Sequence, residues 1–121
     1  MTQTELVEIT VDAPLDDVCH VRASGRLGWG SDVEIKRELA RASESDWRNR
    51  AVALDLADVS FLDSAGISAL LAVNKQLVEG GGSMVLCEVP PRINQAFDIV
   101  GMSRLIPIVN NLKSAREMLA S

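Results

Sequence analysis

The residues in this chain that most clearly point to chemistry are Asp63 and Ser64, a carboxylate followed directly by a hydroxyl group. Before them lies an apolar run at residues 51–56, whose length is typical of a buried strand of about 4–8 residues. After them, apolar residues recur with helical periodicity at Ile67, Leu70, Leu71, Leu77 and Val78. We therefore place Asp63 or Ser64 at the N-cap of a helix, where a short side-chain oxygen accepts a backbone N–H.

A serine in this position has two interpretations. In the structural one, the Ser64 hydroxyl caps the helix and does nothing more. In the functional one, Ser64 is phosphorylated, because a phosphate at a helix N-terminus is stabilised by unpaired N–H groups and by the helix dipole. The phosphate would add roughly −1.5 to −2 charges beside Asp63, which can repel a partner. Spacing alone does not choose between the two interpretations.

Residues 54–67 (LDLADVSFLDSAGI) resemble the signature of the STAS family, the anti-sigma factor antagonists of bacterial sigma-factor control. Family members have an Asp-Ser-small-Gly turn after a hydrophobic strand, and its serine accepts the phosphate. The matching positions here are Asp63, Ser64, Ala65 and Gly66. Further matches lie at residues 24–27, 81–87 and 97–102, so the resemblance extends over nearly the whole chain.

The resemblance implies an α/β fold, the STAS fold, with a mixed four- to five-stranded sheet and about four helices. It also implies a switch in which the unphosphorylated protein binds an anti-sigma factor and frees the sigma factor. That anti-sigma factor is also a serine kinase, which phosphorylates Ser64 and breaks the complex, and a PP2C-type phosphatase reverses the modification. The implied partner-binding residues are Asp63, Ala65, Gly66, Ile67, Ser68, Gly28 and Trp29. The alternative is a scaffold or accessory subunit of a stress-signalling complex or a lipid-transport ATPase.

The sequence departs from the family's pattern at residues 25–28. Many phosphorylatable members have a Gly-Glu-Leu-Asp-like run there, whereas this chain reads GRLG, with Gly28 in place of the aspartate. The loop lies near the serine-bearing turn in the family's fold, so we expect it to form part of the partner face together with an exposed Trp29. The departure leaves the switch intact and the identity of the partner open.

Composition limits the function classes. We expect residues 1–121 to form a single domain, because this length can bury one core and 47% of the residues are hydrophobic. The net charge of −5 argues against nucleic acid and against direct docking on an anionic membrane. The chain contains neither an apolar run of about 20 residues nor an N-terminal signal-peptide pattern, so a cytoplasmic protein is expected.

An enzymatic reading has little support in the sequence. Ser64 does not stand in a Gly-x-Ser-x-Gly motif, and the single histidine, His20, precedes it in a predicted strand. Cys19 and Cys87 are isolated, and we expect both to be reduced and buried in strands. Residues 80–82 (GGG) follow a helix and precede a strand, so they predict a turn rather than a phosphate loop. We therefore expect no catalytic residue, metal ion or cofactor.

The remaining helices and strands are predicted from hydrophobic periodicity and from the residues that interrupt helices and strands. A hairpin is predicted from strands at 6–11 and 18–23 with a turn at 13–17, followed by a helix from Ser31 to about Ala42 with a Ser31–Glu34 capping box. Residues 57–60 read as a polar turn, residues 83–89 as a strand, and Pro91 to Gly101 as a helix. Residues 105–109 read as an edge strand because of Pro107, before a last helix capped by Asn110 or Asn111. The alternating part should form parallel strands, with Ser64 at the carboxyl end of a central one.

Overall fold

The computed structural model describes residues 8–11, 18–43 and 46–120. Within these residues, four strands, four α-helices and two short 3₁₀ helices follow one another along the chain. In order they are β1 (Glu8–Val11), β2 (Val18–Leu27), α1 (Ser31–Ala42), a 3₁₀ helix (Trp47–Asn49), β3 (Ala51–Leu62), α2 (Ser64–Glu79), β4 (Ser83–Cys87), α3 (Pro91–Val100), a 3₁₀ helix (Met102–Arg104) and α4 (Leu112–Ala120). The predicted turn at 13–17 and the first two residues of the predicted strand at 6–11 lie outside the described residues.

The strands form one mixed sheet in the order β1-β2-β3-β4. β1 pairs antiparallel with β2, whereas β3 pairs in parallel with β2 on one side and with β4 on the other. The predicted α/β fold with a mixed sheet is therefore confirmed. β3 lies between two parallel partners, and α2 begins at its carboxyl end, so Ser64 emerges where the sequence predicts it.

The two faces of the sheet pack against different helices. Strand residues such as Val52 and Leu54 belong to the larger core, together with residues of α1, α2 and α3. Ala53, between them in sequence, belongs to a smaller core with Ala115 of α4, since successive strand side chains point to opposite faces. The sheet is thus covered by three helices on one face and by α4 on the other. Cys19 and Cys87 are free thiols buried in β2 and β4, as predicted.

The predicted turn at residues 57–60 is wrong, because β3 continues without a break to Leu62. β2 is longer than predicted as well, and its extension supplies the backbone partners: Ser24 pairs with Asp58 and Gly25 with Val59. Register shifts occur in this stretch, between Arg22 and Ser24 and again after Gly25. Polar composition indicated a turn, but the solvent-facing side of a paired strand end is also polar.

The predicted strand at residues 105–109 is also wrong. The segment makes one isolated parallel bridge, between Ile108 and Leu86. The Leu86 N–H donates to the Pro107 carbonyl and the Val109 N–H donates to the Leu86 carbonyl, each at 2.9 Å. Pro107 has no N–H with which to extend a ladder, which limits the segment to this short contact beside β4.

The ends of the helices differ in detail from the sequence prediction. Gly30, with φ of 87°, is the N-cap of α1, and Ser31 lies inside the helix, so the predicted capping box is wrong. The Ser31 hydroxyl instead accepts a hydrogen bond from the Gly28 N–H at 2.9 Å. Val78, which belongs to the apolar periodicity predicted for α2, is exposed, because it lies in the last turn of the helix, beyond the part that the core covers.

Candidate functional site

Asp63 is the N-cap of α2. Its backbone is extended, with φ of −116° and ψ of −177°, and its Oδ1 accepts a hydrogen bond from the Gly66 N–H at 2.9 Å. Ser64 is the first residue of the helix, and it is exposed. The sequence left the cap open between these two residues, and the structure assigns it to Asp63. The helix therefore does not need the Ser64 hydroxyl as its cap.

The first turn of α2 lies directly against the end of β2. A Cβ atom at Gly66 would overlap the Leu27 carbonyl oxygen, and it would lie 2.8 Å from the Leu27 carbonyl carbon and 2.9 Å from Leu62 Cδ1. The same Leu27 carbonyl accepts a hydrogen bond from the Asp63 N–H at 3.4 Å. Gly66 therefore lets the helix pack closely against the end of β2, and this contact fixes the serine-bearing turn relative to the sheet.

Arg26 and Phe61 form the flank of this turn, and sequence reasoning did not identify either residue. They are register partners on β2 and β3, and the Arg26 guanidinium carbon lies 4.1 Å from the centroid of the Phe61 ring. Arg26 Nη2 also lies 3.8 Å from Asp63 Oδ2, with 46% of the Arg26 side chain and 36% of the Asp63 side chain exposed. The signal in the sequence is the arginine within the GRLG run, but the pairing becomes visible only with the strand register.

Gly28 lies beside the Asp63 carboxylate. A Cβ atom at position 28 would be 3.4 Å from Asp63 Oδ2 and 3.5 Å from Oδ1, an ordinary contact distance. Next to Gly28, Trp29 is 94% exposed. The expected proximity of this loop to the serine-bearing turn is therefore present, and the exposed indole stands at the same edge of the molecule.

A shallow groove of about 680 Å³ runs between the start of α1 and the first half of α2. It is lined by Trp29, Gly30, Asp32, Val33, Glu34, Ala65, Ser68, Ala69 and Ala72. Three of the predicted partner-binding residues, Trp29, Ala65 and Ser68, thus share one surface. Gly66 is buried, and Ile67 is partly buried against the larger core.

His20, the single histidine, lies far from Ser64. His20 Nε2 is 3.1 Å from Asp55 Oδ2, and His20 is level with Ala53 in the sheet. Leu62 is the ninth residue after Ala53 along β3, a distance of roughly 30 Å, so this histidine cannot act as a base for Ser64.

Among residues 8–11, 18–43 and 46–120, no three His, Cys, Asp or Glu side chains lie close enough together to hold a metal ion. In the same part of the chain, no helix has both the length and the apolar character needed to cross a membrane.

Comparison with known proteins identifies the family. Residues 11–115 match the model of the STAS domain. A Bordetella bronchiseptica protein that bears the name anti-sigma factor antagonist BtrV is 30% identical over 109 residues, which cover 90% of this chain and 91% of that relative.

Solved structures share the fold. An anti-sigma factor antagonist from Mycobacterium paratuberculosis matches with a TM-score of 0.75 and 20% identity over 100% of both chains. The Bacillus cell fate determinant SpoIIAA in its phosphorylated form matches with a TM-score of 0.65 and 16% identity, over 92% of this chain and 98% of that one. The extent of the family match and the identity to a relative that is covered over 91% of its length lead to one conclusion: the chain belongs to the STAS domain family.

Proposed function

We propose that this protein is an anti-sigma factor antagonist that works by partner switching. In its unphosphorylated form it binds an anti-sigma factor, which is also a serine kinase, and thereby releases a sigma factor. Phosphorylation of Ser64 by that kinase ends the binding, and a PP2C-type phosphatase restores it. The protein is a regulator rather than an enzyme, and such a circuit operates in the cytoplasm.

One observation supports the proposal most strongly: Ser64 is exposed at the first position of α2, while Asp63 already caps the helix. A kinase can reach the hydroxyl without removing a hydrogen bond on which the helix depends. A phosphate there would face the positive end of the helix dipole, which favours the modified state. SpoIIAA, a protein of the same fold whose structure is described as phosphorylated, is consistent with a modification on this scaffold.

The loss of binding follows from charge. The groove beside Ser64 is lined by Asp32 and Glu34, and Asp63 lies next to the serine itself. A phosphate would add roughly −1.5 to −2 charges to a surface that already carries these three carboxylates. A partner that covers Trp29 and the groove would have to remove water from that dianion, and this cost raises the dissociation rate of the complex.

A second candidate is a scaffold or accessory subunit of a stress-signalling complex or a lipid-transport ATPase. The departure at Gly28 favours it, since the loop beside the switch differs from that of many phosphorylatable relatives. In that case the same surface would bind its partner whether or not Ser64 is modified.

The test is phosphorylation of purified protein by the anti-sigma factor kinase encoded in the same genome, followed by intact-mass measurement. Wild type and a Ser64→Ala variant are compared with Ser83→Ala, a control that changes an exposed serine at the start of β4, at the opposite end of the sheet. We expect wild type and Ser83→Ala to gain one phosphate and Ser64→Ala to gain none. Equal phosphorylation of Ser64→Ala would exclude Ser64 as the acceptor.

A further inference from the structure

Arg26 is a cation beside Asp63, the residue that precedes Ser64, and it makes no hydrogen bond to the Asp63 carboxylate. Its guanidinium rests on the Phe61 ring, and its Nη2 lies 3.8 Å from Asp63 Oδ2, which is longer than a hydrogen bond. The other carboxylate oxygen of Asp63 is engaged by the Gly66 N–H. The arginine is therefore placed by stacking and by long-range attraction, and its donors are not used by the carboxylate.

We propose that Arg26 is the phosphate-binding residue of the switch, pairing with the phosphoryl group when Ser64 is modified. This inference rests on the proposed function, because it assumes that Ser64 is the residue that receives the phosphate. A guanidinium presents two parallel N–H donors that match two phosphate oxygens, and such charge-assisted pairs are stronger than neutral ones. Ser64 directly follows Asp63, so the phosphate attaches one residue from the carboxylate that Arg26 already faces.

The other charges near the groove are engaged elsewhere. Asp32 pairs with Lys36 at 3.4 Å, and Glu34 pairs with Arg37 at 3.2 Å. Among the ion pairs of the described residues, Arg26 is the cation that reaches Asp63. Besides the dipole of its own helix, a phosphate on Ser64 would therefore have in Arg26 a cation that is already drawn toward the neighbouring Asp63.

Gly28 also favours a phosphate next to Asp63. Its missing side chain leaves open the space in front of the Asp63 carboxylate, where a Cβ atom would lie at 3.4 Å. An aspartate there, as in the Gly-Glu-Leu-Asp-like run, would bring a second carboxylate toward Asp63, and a glutamate at position 26 would replace the cation with an acid. The GRLG run therefore converts an acidic edge into one that can hold a dianion.

The experiment places phosphoserine at position 64 by genetic encoding, so that it does not depend on any kinase. The second pKa of the phosphate is measured by ³¹P NMR in the Arg26, Arg26→Lys and Arg26→Gln proteins. The control is Arg41→Gln, because Arg41 is an exposed arginine on α1 that pairs with Glu38 at 3.5 Å. Urea unfolding of each variant checks that the fold persists.

We expect Arg26 to stabilise the dianion, so that Arg26→Gln raises the phosphate pKa by roughly half a unit or more and Arg26→Lys raises it less. Arg41→Gln should titrate as wild type does. A purely structural role of Arg26 on Phe61 would change unfolding without changing the phosphate pKa. Equal pKa values in the Arg26 and Arg26→Gln proteins would overturn the inference. If the kinase assay excluded Ser64, the proposed function would fail, yet this titration would still report whether Arg26 pairs with the group.

Discussion

Replacing Gly66 with alanine should destabilise the protein, although alanine is the better helix former. Gly66 lies in the first turn of α2, where its missing side chain lets the helix approach the end of β2. An added Cβ would overlap the Leu27 carbonyl oxygen and come within 2.9 Å of Leu62 Cδ1. One of these groups is backbone, so the helix as a whole has to move away from the strand.

The change in the free energy of unfolding for Gly66→Ala is the sum of opposing contributions. Alanine gains about 1 kcal/mol of helix propensity over glycine. Overpacking in a tight contact costs about 1–3 kcal/mol. Moving the turn also weakens the hydrogen bonds from the Asp63 N–H to Leu27 and from the Gly66 N–H to Asp63, each worth about 1 kcal/mol. We expect a net loss of roughly 2–3 kcal/mol in the free energy of unfolding.

Urea unfolding followed by circular dichroism measures this loss. Gly28→Ala is the matched control, because its Cβ would meet Asp63 Oδ2 at an ordinary 3.4 Å, and its stability should stay within about 0.5 kcal/mol of wild type. Ser68→Ala reports the propensity contribution at an exposed position of α2. A Gly66→Ala protein as stable as wild type, or more stable, would refute the close contact between α2 and β2.

Three further outcomes are expected. Trp29→Ala should leave the free energy of unfolding within about 0.5 kcal/mol of wild type, because the Trp29 side chain is 94% exposed. The same change should weaken binding of the anti-sigma factor at least about tenfold, and an unchanged affinity in calorimetry would show that Trp29 is not part of the partner face. Asp63→Ala should cost about 0.5–2 kcal/mol in urea unfolding through loss of the helix cap, and a smaller change than this would contradict the capping role. Burial, reinforced by the negative charges of Asp55 and Glu88, raises the pKa of the Cys87 thiol to about 12. The thiol therefore ionises first in the unfolded protein, and the free energy of unfolding should fall as the pH rises above about 9. Iodoacetamide should label Cys87 at pH 9 only after unfolding, and rapid labelling of the native protein would contradict the burial of Cys87.

The sequence was sufficient to locate the serine-bearing turn. The change from a strand-length apolar run to helical periodicity placed the start of α2 at Asp63–Ser64, since both patterns depend on local geometry. Asp63 and Ser64 have similar capping ability, so their roles could be separated only by the backbone conformation, which is extended at Asp63 and helical at Ser64.

The features that sequence reasoning missed depend on pairing between distant segments. The extension of β3 to Leu62 requires the matching extension of β2, and the register shifts near Gly25 cannot be inferred from either segment alone. The Arg26–Phe61 contact is a consequence of that shifted register. The segment at 105–109 has the composition of a strand, but pairing beside β4 is limited to the bridge between Ile108 and Leu86. In each case tertiary pairing overrides local composition.

The central proposal is that modification of Ser64 switches partner binding, and one binding measurement tests it most directly. The anti-sigma factor kinase from the same genome is titrated by isothermal calorimetry, without ATP, into the unmodified protein and into protein with phosphoserine encoded at position 64. Phosphoserine at position 83, which is exposed at the start of β4 at the opposite end of the sheet, serves as the control for the same added charge away from the groove. We expect the modification at 64 to weaken binding at least tenfold, a free-energy change of about 1.4 kcal/mol or more, and to weaken it more than the modification at 83 does. Equal affinity of the unmodified and phosphoserine-64 proteins would contradict a switch at Ser64.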